Sequence, residues 1–202
     1  MAILERNFYE KSSLELSEHI IGKIFTHIID GKKISGRIVE VEAYMGITDK
    51  AAHSYGGKRT NRTEIMYGEP GFLYVFMVYG MHYCVNIVAG EINVPQAVLI
   101  RAIEPIDGIE EMAVKRYSKP LKELTTKQIV NLTNGPGKLC RAMGIDKTAN
   151  GKDLCENEFY FEDDGYKPEI VTSKRIGIDY AEEAVDFPWR FYIKNNKFVS
   201  FK

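Results

Sequence analysis

Cysteine is scarce in this sequence, with Cys84, Cys140 and Cys155 the only three. An odd count cannot complete a disulfide framework and the spacing matches no zinc motif, so all three are expected to be small buried hydrophobes in a reducing compartment. His19, His27, His53 and His82 show no HExxH or HxxxH spacing, so no metal is expected. The G-x-S-x-G elbow of serine hydrolases is absent, and NGPGKL at residues 134–139 lacks the frame of a nucleotide-triphosphate loop. No apolar block of signal-peptide length stands at the amino terminus, where acidic residues fall within the first ten positions, so a cytoplasmic protein is expected. One stretch, residues 72–90, has no formal charge when His82 is neutral. Its aromatics, Asn86 and central Gly80 suit two strands and a turn better than a membrane helix.

What is present is an ordinary folded composition: 202 residues, 45% hydrophobic and 27% charged, enough for one domain over residues 1–202 with a sizeable core. The net charge of −1 conceals a division. Residues 113–152 carry nine Lys or Arg against two acids, and residues 153–186 carry eleven acids against three bases. Either the first stretch presents a basic face to a polyanion, or the two are solvated surfaces that neutralise each other.

Ser12 and Glu15 have capping-box spacing, which predicts a short helix over 13–22. Two strands, 24–29 and 34–44, flank an Asp30-Gly31 hairpin turn. Alternation in the second puts Glu40, Glu42 and Tyr44 on one face and Val39, Val41 and Ala43 on the other. Residues 51–64 have no period and are expected to be a loop. Strands are expected over 72–78, 82–88, 96–103, 159–161 and 191–193, and helices over 108–117, 125–132 and 138–143. Without regular strand–helix alternation, the expected class is α+β: one compact domain with a mainly antiparallel curved sheet flanked by helices and a protruding hairpin.

Several residues are chemically conspicuous. Tyr79 tops a predicted hairpin that cannot bury it, so it is either covered by another element or exposed as a wedge of the kind that parts stacked bases. Phe72, Tyr74 and Phe76 share a strand face, which suits a core or a stacking platform for a planar base; Tyr44 and His53 could complete a ring-lined slot. Glu42 has the right type for a general base that activates water, or is a half-exposed strand carboxylate paired with a cation. Arg101 keeps its charge inside the apolar run 97–103 and requires a carboxylate, a phosphate or a ligand. Pairing with Glu40 or Glu42 would be structural; contact with a phosphate or an attacking water would be catalytic.

The segments IVEVEAYMG, AAHSYGG, PGFLYVFMVYGMHYCVNIV, VLIRAIEP, NGPGKLCRAMGI, and RIGI with PWRFYI occur in this order. Together they resemble the alkyladenine (3-methyladenine) DNA glycosylase family, from about residue 14 to the carboxyl end. The resemblance implies a monomeric, monofunctional glycosylase without metal or cofactor. Such an enzyme approaches duplex DNA through the minor groove, rotates an alkylated or deaminated purine out of the stack and hydrolyses its N-glycosidic bond. It further implies that Tyr79 fills the vacated space and that Tyr44, His53 and Phe76 wall the base slot. Asn86 would obstruct the amino group of guanine, and Glu42 would activate water with help from Arg101 and the backbone carbonyl of Ile176. The family often has tyrosine where Phe76 stands, so any contact of that hydroxyl is lost. Schiff-base strand cleavage is not implied, because no lysine falls at a matched position. Two alternatives follow from the residues: a noncatalytic module for distorted DNA, and a small-molecule hydrolase that uses the aromatic pocket.

Overall fold

The computed structural model describes residues 2–200. A short strand β1 (Ala2–Ile3) and a one-turn helix α1 (Arg6–Tyr9) precede α2 (Ser13–Ile20), whose N-terminus carries the reciprocal Ser12–Glu15 capping box. Then come β2 (Ile24–Ile29) and the long β3 (Lys32–Tyr44), joined at Asp30 and Gly31, both with positive φ. The turn matches the right-handed twist of the two strands, which is why Asp-Gly stands there. β4 (Leu73–Val78) and β5 (His82–Ala89) form the second hairpin, followed by β6 (Gln96–Asp107) and α3 (Ile109–Tyr117). α4 (Thr126–Val130) and α5 (Pro136–Met143) lead to β7 (Phe159–Asp163), β8 (Ile170–Ser173) and β9 (Arg190–Ile193).

Among the described residues these strands make one open antiparallel sheet of nine: seven follow the order β1-β7-β2-β3-β6-β5-β4, β9 pairs with β3 and β8 with β9, so the α+β expectation holds. β3 is its organising strand. β2 pairs with its first half and β9 with Glu40–Glu42, while β6 runs along its other edge. The register against β6 shifts on both sides of Glu40: Val41 faces Ile100 and Glu40 faces Ala102, which leaves Arg101 as an extra residue. Such a bulge re-aims a side chain without ending the sheet.

Helices α2, α3 and α5 cover one face, where Leu16, Ile20, Met112, Leu139 and Met143 meet Val41, Ile87 and Ile100. Each fully buried side chain of this size contributes about 1.5–3 kcal/mol. On the other face the sheet is covered only by irregular chain. One small cluster joins Ala51 to Ile178, Ala181 and Ala184, and another joins Met66 to Tyr74, Val88 and Ala97. The cleft described below lies on this face.

Two expectations need correction. Cys84 and Cys140 are buried as expected, but Cys155 is exposed in a turn ahead of β7. Glu42 is not half-exposed; both it and Glu40 are fully buried. The loop at 51–64 contains the tight 3-10 turn Tyr55–Gly57, and a second turn, Glu64–Tyr67, begins at its end. Residues 72–90 form β4, a turn and β5, and no helix among the described residues is long and apolar enough to cross a membrane.

Candidate active site

Four strands and two irregular segments bring the sequence-predicted residues around one cleft of about 440 Å³. β3 supplies Tyr44, the following loop His53, β4 Phe76, β5 Asn86 and β6 Arg101; Ile176 comes from the irregular chain between β8 and β9. Tyr79 stands at the rim. A larger, more open depression of about 590 Å³ lies elsewhere, bordered by Glu10, Glu69 and Glu91. Three carboxylates make that depression a poor seat for a polyanion.

Glu42 lies directly behind the cleft wall with no exposure of its own. Its Oε1 accepts the Ile176 N–H at 2.8 Å. Its Oε2 accepts the Tyr44 hydroxyl at 3.0 Å and lies 3.2 Å from Arg101 Nη1. A carboxylate offers roughly four lone-pair sites. Three are occupied here, so one remains for a water. Burial and the Glu42 charge push the Tyr44 hydroxyl well above its usual range, which keeps it a donor.

Arg101 is held from behind by a second carboxylate. Its Nε donates to Glu40 Oε1 at 3.2 Å; the same oxygen meets Arg190 Nε at 2.9 Å, and the Ser200 N–H reaches Glu40 Oε2 at 2.6 Å. Burial pulls the Arg101 guanidinium down, but Glu42 and Glu40 more than offset it. Two acids and two guanidiniums therefore balance in a buried chain that ends at the cleft. Of the sequence alternatives for Arg101 the structure shows the pairing, with Glu40 and Glu42, and the guanidinium also lines the cleft.

The opposite wall is aromatic. His53 meets Phe76 edge-on at 4.6 Å, and Tyr74 lies 5.2 Å from Phe76. His53 Nδ1 is 2.8 Å from the Tyr74 hydroxyl, and Arg62 Nη2 is 3.0 Å from Nε2. Burial first and Arg62 second lower the His53 imidazole to about 4, so it is neutral at physiological pH. Asn86 Nδ2 donates to the Tyr74 carbonyl at 3.0 Å, which sets the orientation of its amide. At the rim Tyr79 is 89% exposed, in a turn where both it and Gly80 have positive φ. It is uncovered.

Ile176 approaches Glu42 through its N–H, whereas the resemblance implied a role for its carbonyl. Sequence reasoning also missed Arg62 and the buried pair of Arg175 with Asp49. Arg62 stacks over Phe76 at 4.7 Å. Arg175 donates to both carboxylate oxygens of Asp49, at 2.6 and 2.8 Å. A signal for Arg175 was present, since it adjoins Ile176; Asp49, 126 positions away, had none.

A profile of the family described as methylpurine-DNA glycosylase matches residues 7–197. A protein of Alkaliphilus oremlandii that bears the name "Putative 3-methyladenine DNA glycosylase" is 61% identical over 200 residues, which cover 98% of this chain and 99% of that protein. Proteins of Desulfitobacterium hafniense and Clostridium novyi with the same name are 58% and 55% identical, each over 100% of both chains. With a profile that spans most of its length and relatives that match end to end, this chain belongs to the methylpurine-DNA glycosylase family.

Proposed function

We propose that this protein excises an alkylated or deaminated purine from duplex DNA by hydrolysing its N-glycosidic bond. The observation that carries the reading is the fully buried Glu42 carboxylate, with one lone pair unclaimed, behind a ring-lined cleft whose rim holds an exposed tyrosine. Tyr79 would enter the duplex from the minor groove and occupy the space of the everted nucleotide. The purine would stack between Tyr44 and the His53–Phe76 wall. A cationic ring, as in 3-methyladenine, gains more from these electron-rich faces than a neutral one.

In the chemical step Glu42 takes a proton from water as its oxygen forms a bond to the sugar C1′. The C1′–N bond breaks and its electron pair goes to the purine. A cationic purine leaves neutral; a neutral one such as hypoxanthine must also gain a proton or a hydrogen bond at N7. His53, neutral near pH 7, is a poor acid for that purpose, which favours a backbone N–H. No lysine lines the cleft among the described residues, in keeping with hydrolysis rather than Schiff-base strand cleavage. Asn86 at the floor would collide with the exocyclic amino group of guanine.

The test is a duplex oligonucleotide bearing one hypoxanthine or 3-methyladenine, incubated with protein and then treated with alkali, which breaks only abasic strands. Strand breakage is expected, and Glu42→Gln should lower single-turnover release at least about 100-fold. Full activity of the Gln variant overturns the role of Glu42. Tight lesion binding without abasic product would favour a noncatalytic damage-binding module.

A further inference from the structure

The chain that delivers Ile176 to Glu42 belongs to no helix or strand: residues 174–181 lie between β8 and the turn Glu182–Asp186, with positive φ at Gly177. No sheet ladder holds the Ile176 N–H in place. What anchors this stretch is the side chain of the preceding residue. Arg175 is buried, and its fork grips Asp49 while Nη1 and Nη2 also donate to the carbonyls of Ala43 and Ala184, at 2.9 and 3.3 Å. Its guanidinium carbon lies 4.8 Å from the Tyr44 ring centroid on one side and 4.9 Å from Trp189 on the other. Asp49 in turn accepts the N–H groups of Met45 and Ala51, at 3.1 and 3.0 Å, which ties down the loop that carries His53. One ion pair therefore joins the strand of Glu42, the His53 loop and the Ile176 segment.

We propose that Arg175 is a positioning residue for hydrolysis: locked to Asp49 between Tyr44 and Trp189, it places the Ile176 N–H on Glu42 Oε1. That contact fixes the direction in which the Glu42 carboxylate is held behind the cleft. The other groups that face Glu42 are Arg101 from β6, Tyr44 from its own strand, Cys84 from β5 and Tyr180 from the Ile176 segment. Glu40 and Arg190 act one link further away. Arg175 also acts directly on two of these, Tyr44 and Tyr180.

This inference rests on the glycosylase reading and has its own test. Arg175→Lys retains the positive charge but loses the planar fork and the ring stacking. In single-turnover assays the rate of base release by Arg175→Lys should fall roughly tenfold, with lesion-DNA Kd changed by less than about twofold. Trp189, the single tryptophan, should report the lost stacking as a change in its emission. Asp49→Asn, which opens the pair from the other end, should lower the rate in the same way. A wild-type rate in both variants, or a Kd weakened as much as the rate, overturns the proposal. So does loss of fold in both variants, which would make the pair scaffold. If the wild-type protein releases no base at all, the glycosylase reading itself fails, an outcome distinct from these.

Discussion

Two ionisable side chains stand at the cleft with different surroundings. Glu42, behind the wall, has three partners for its carboxylate. His53 has only a tyrosine hydroxyl and a cation beside it, so burial and Arg62 hold its imidazole at about 4. In the unfolded chain a histidine titrates near about 6.5. Between those values the unfolded state binds a proton that the folded state refuses, so stability falls as pH drops from about 6.5 toward 4. His27, also lowered chiefly by burial, acts in the same direction, so the effect of His53 must be isolated by difference. His53→Gln should lose less stability than wild type between pH 7 and 4.5, by on the order of 2 kcal/mol, measured from urea midpoints. Equal losses in the two proteins would mean that His53 is protonated in the folded state. The same shift keeps His53 from changing charge near neutrality.

At the scale of elements, the β4–β5 hairpin separates stability from function. Tyr79 sits at φ 53°, where a β-carbon is crowded, and is 89% exposed, so the fold gains little from its ring. Glycine adopts this conformation without that penalty. Tyr79→Gly should therefore keep or slightly raise Tm while duplex base release falls at least about tenfold, with a smaller loss on single-stranded substrate. An unchanged duplex rate would show that the wedge is not Tyr79. This hairpin was legible in the sequence, as were the Asp30-Gly31 turn and the Ser12 cap, because each depends on residues adjacent in the chain. The need of Arg101 for a carboxylate was legible too, since a guanidinium cannot discharge in an apolar strand. β8 was missed, having no alternation to reveal it, whereas β9 was expected at 191–193 but its place in the sheet, paired with Glu40–Glu42 about 150 positions away, was not legible. Asp49 with Arg175, and Arg62 with His53, were invisible for the same reason: they depend on how irregular segments fold back over the sheet. The direction of the Ile176 contact depends on a single peptide plane, which no side-chain pattern encodes.

At the scale of the molecule, ion pairs decide between the two readings of the divided charge. The acidic third is matched mainly by cations from elsewhere: Glu162 by Lys33, Asp163 by Lys23, Asp164 by Arg37, Glu169 by Lys194, and Glu182 with Glu183 by Lys50. Among the described ion pairs only Lys152–Glu158 joins the acidic stretch to the basic one. The two stretches are therefore joined by a single ion pair, and among the described residues the cations of residues 113–147 have no carboxylate partner within ion-pair distance. Lys138 is the best placed of them. It lies in the first turn of α5, next to Pro136, which lines the cleft, and to Gly137, which abuts His82 at the foot of the Tyr79 hairpin. Asn131 and Asn134 hold its ammonium at 2.9 and 2.8 Å, while burial and Arg116 lower its pKa. A phosphate at this corner would relieve both the burial cost and the repulsion. Each phosphate contact contributes about −0.9 to the slope of log Kobs against log salt. Lys138→Ala should weaken duplex binding several-fold at low salt and make that slope shallower by about one, in anisotropy titrations over a salt series. An unchanged slope would place the duplex elsewhere. A shallower slope with an unchanged rate of the chemical step would mean that this edge holds the backbone while Glu42 and its partners act on the base.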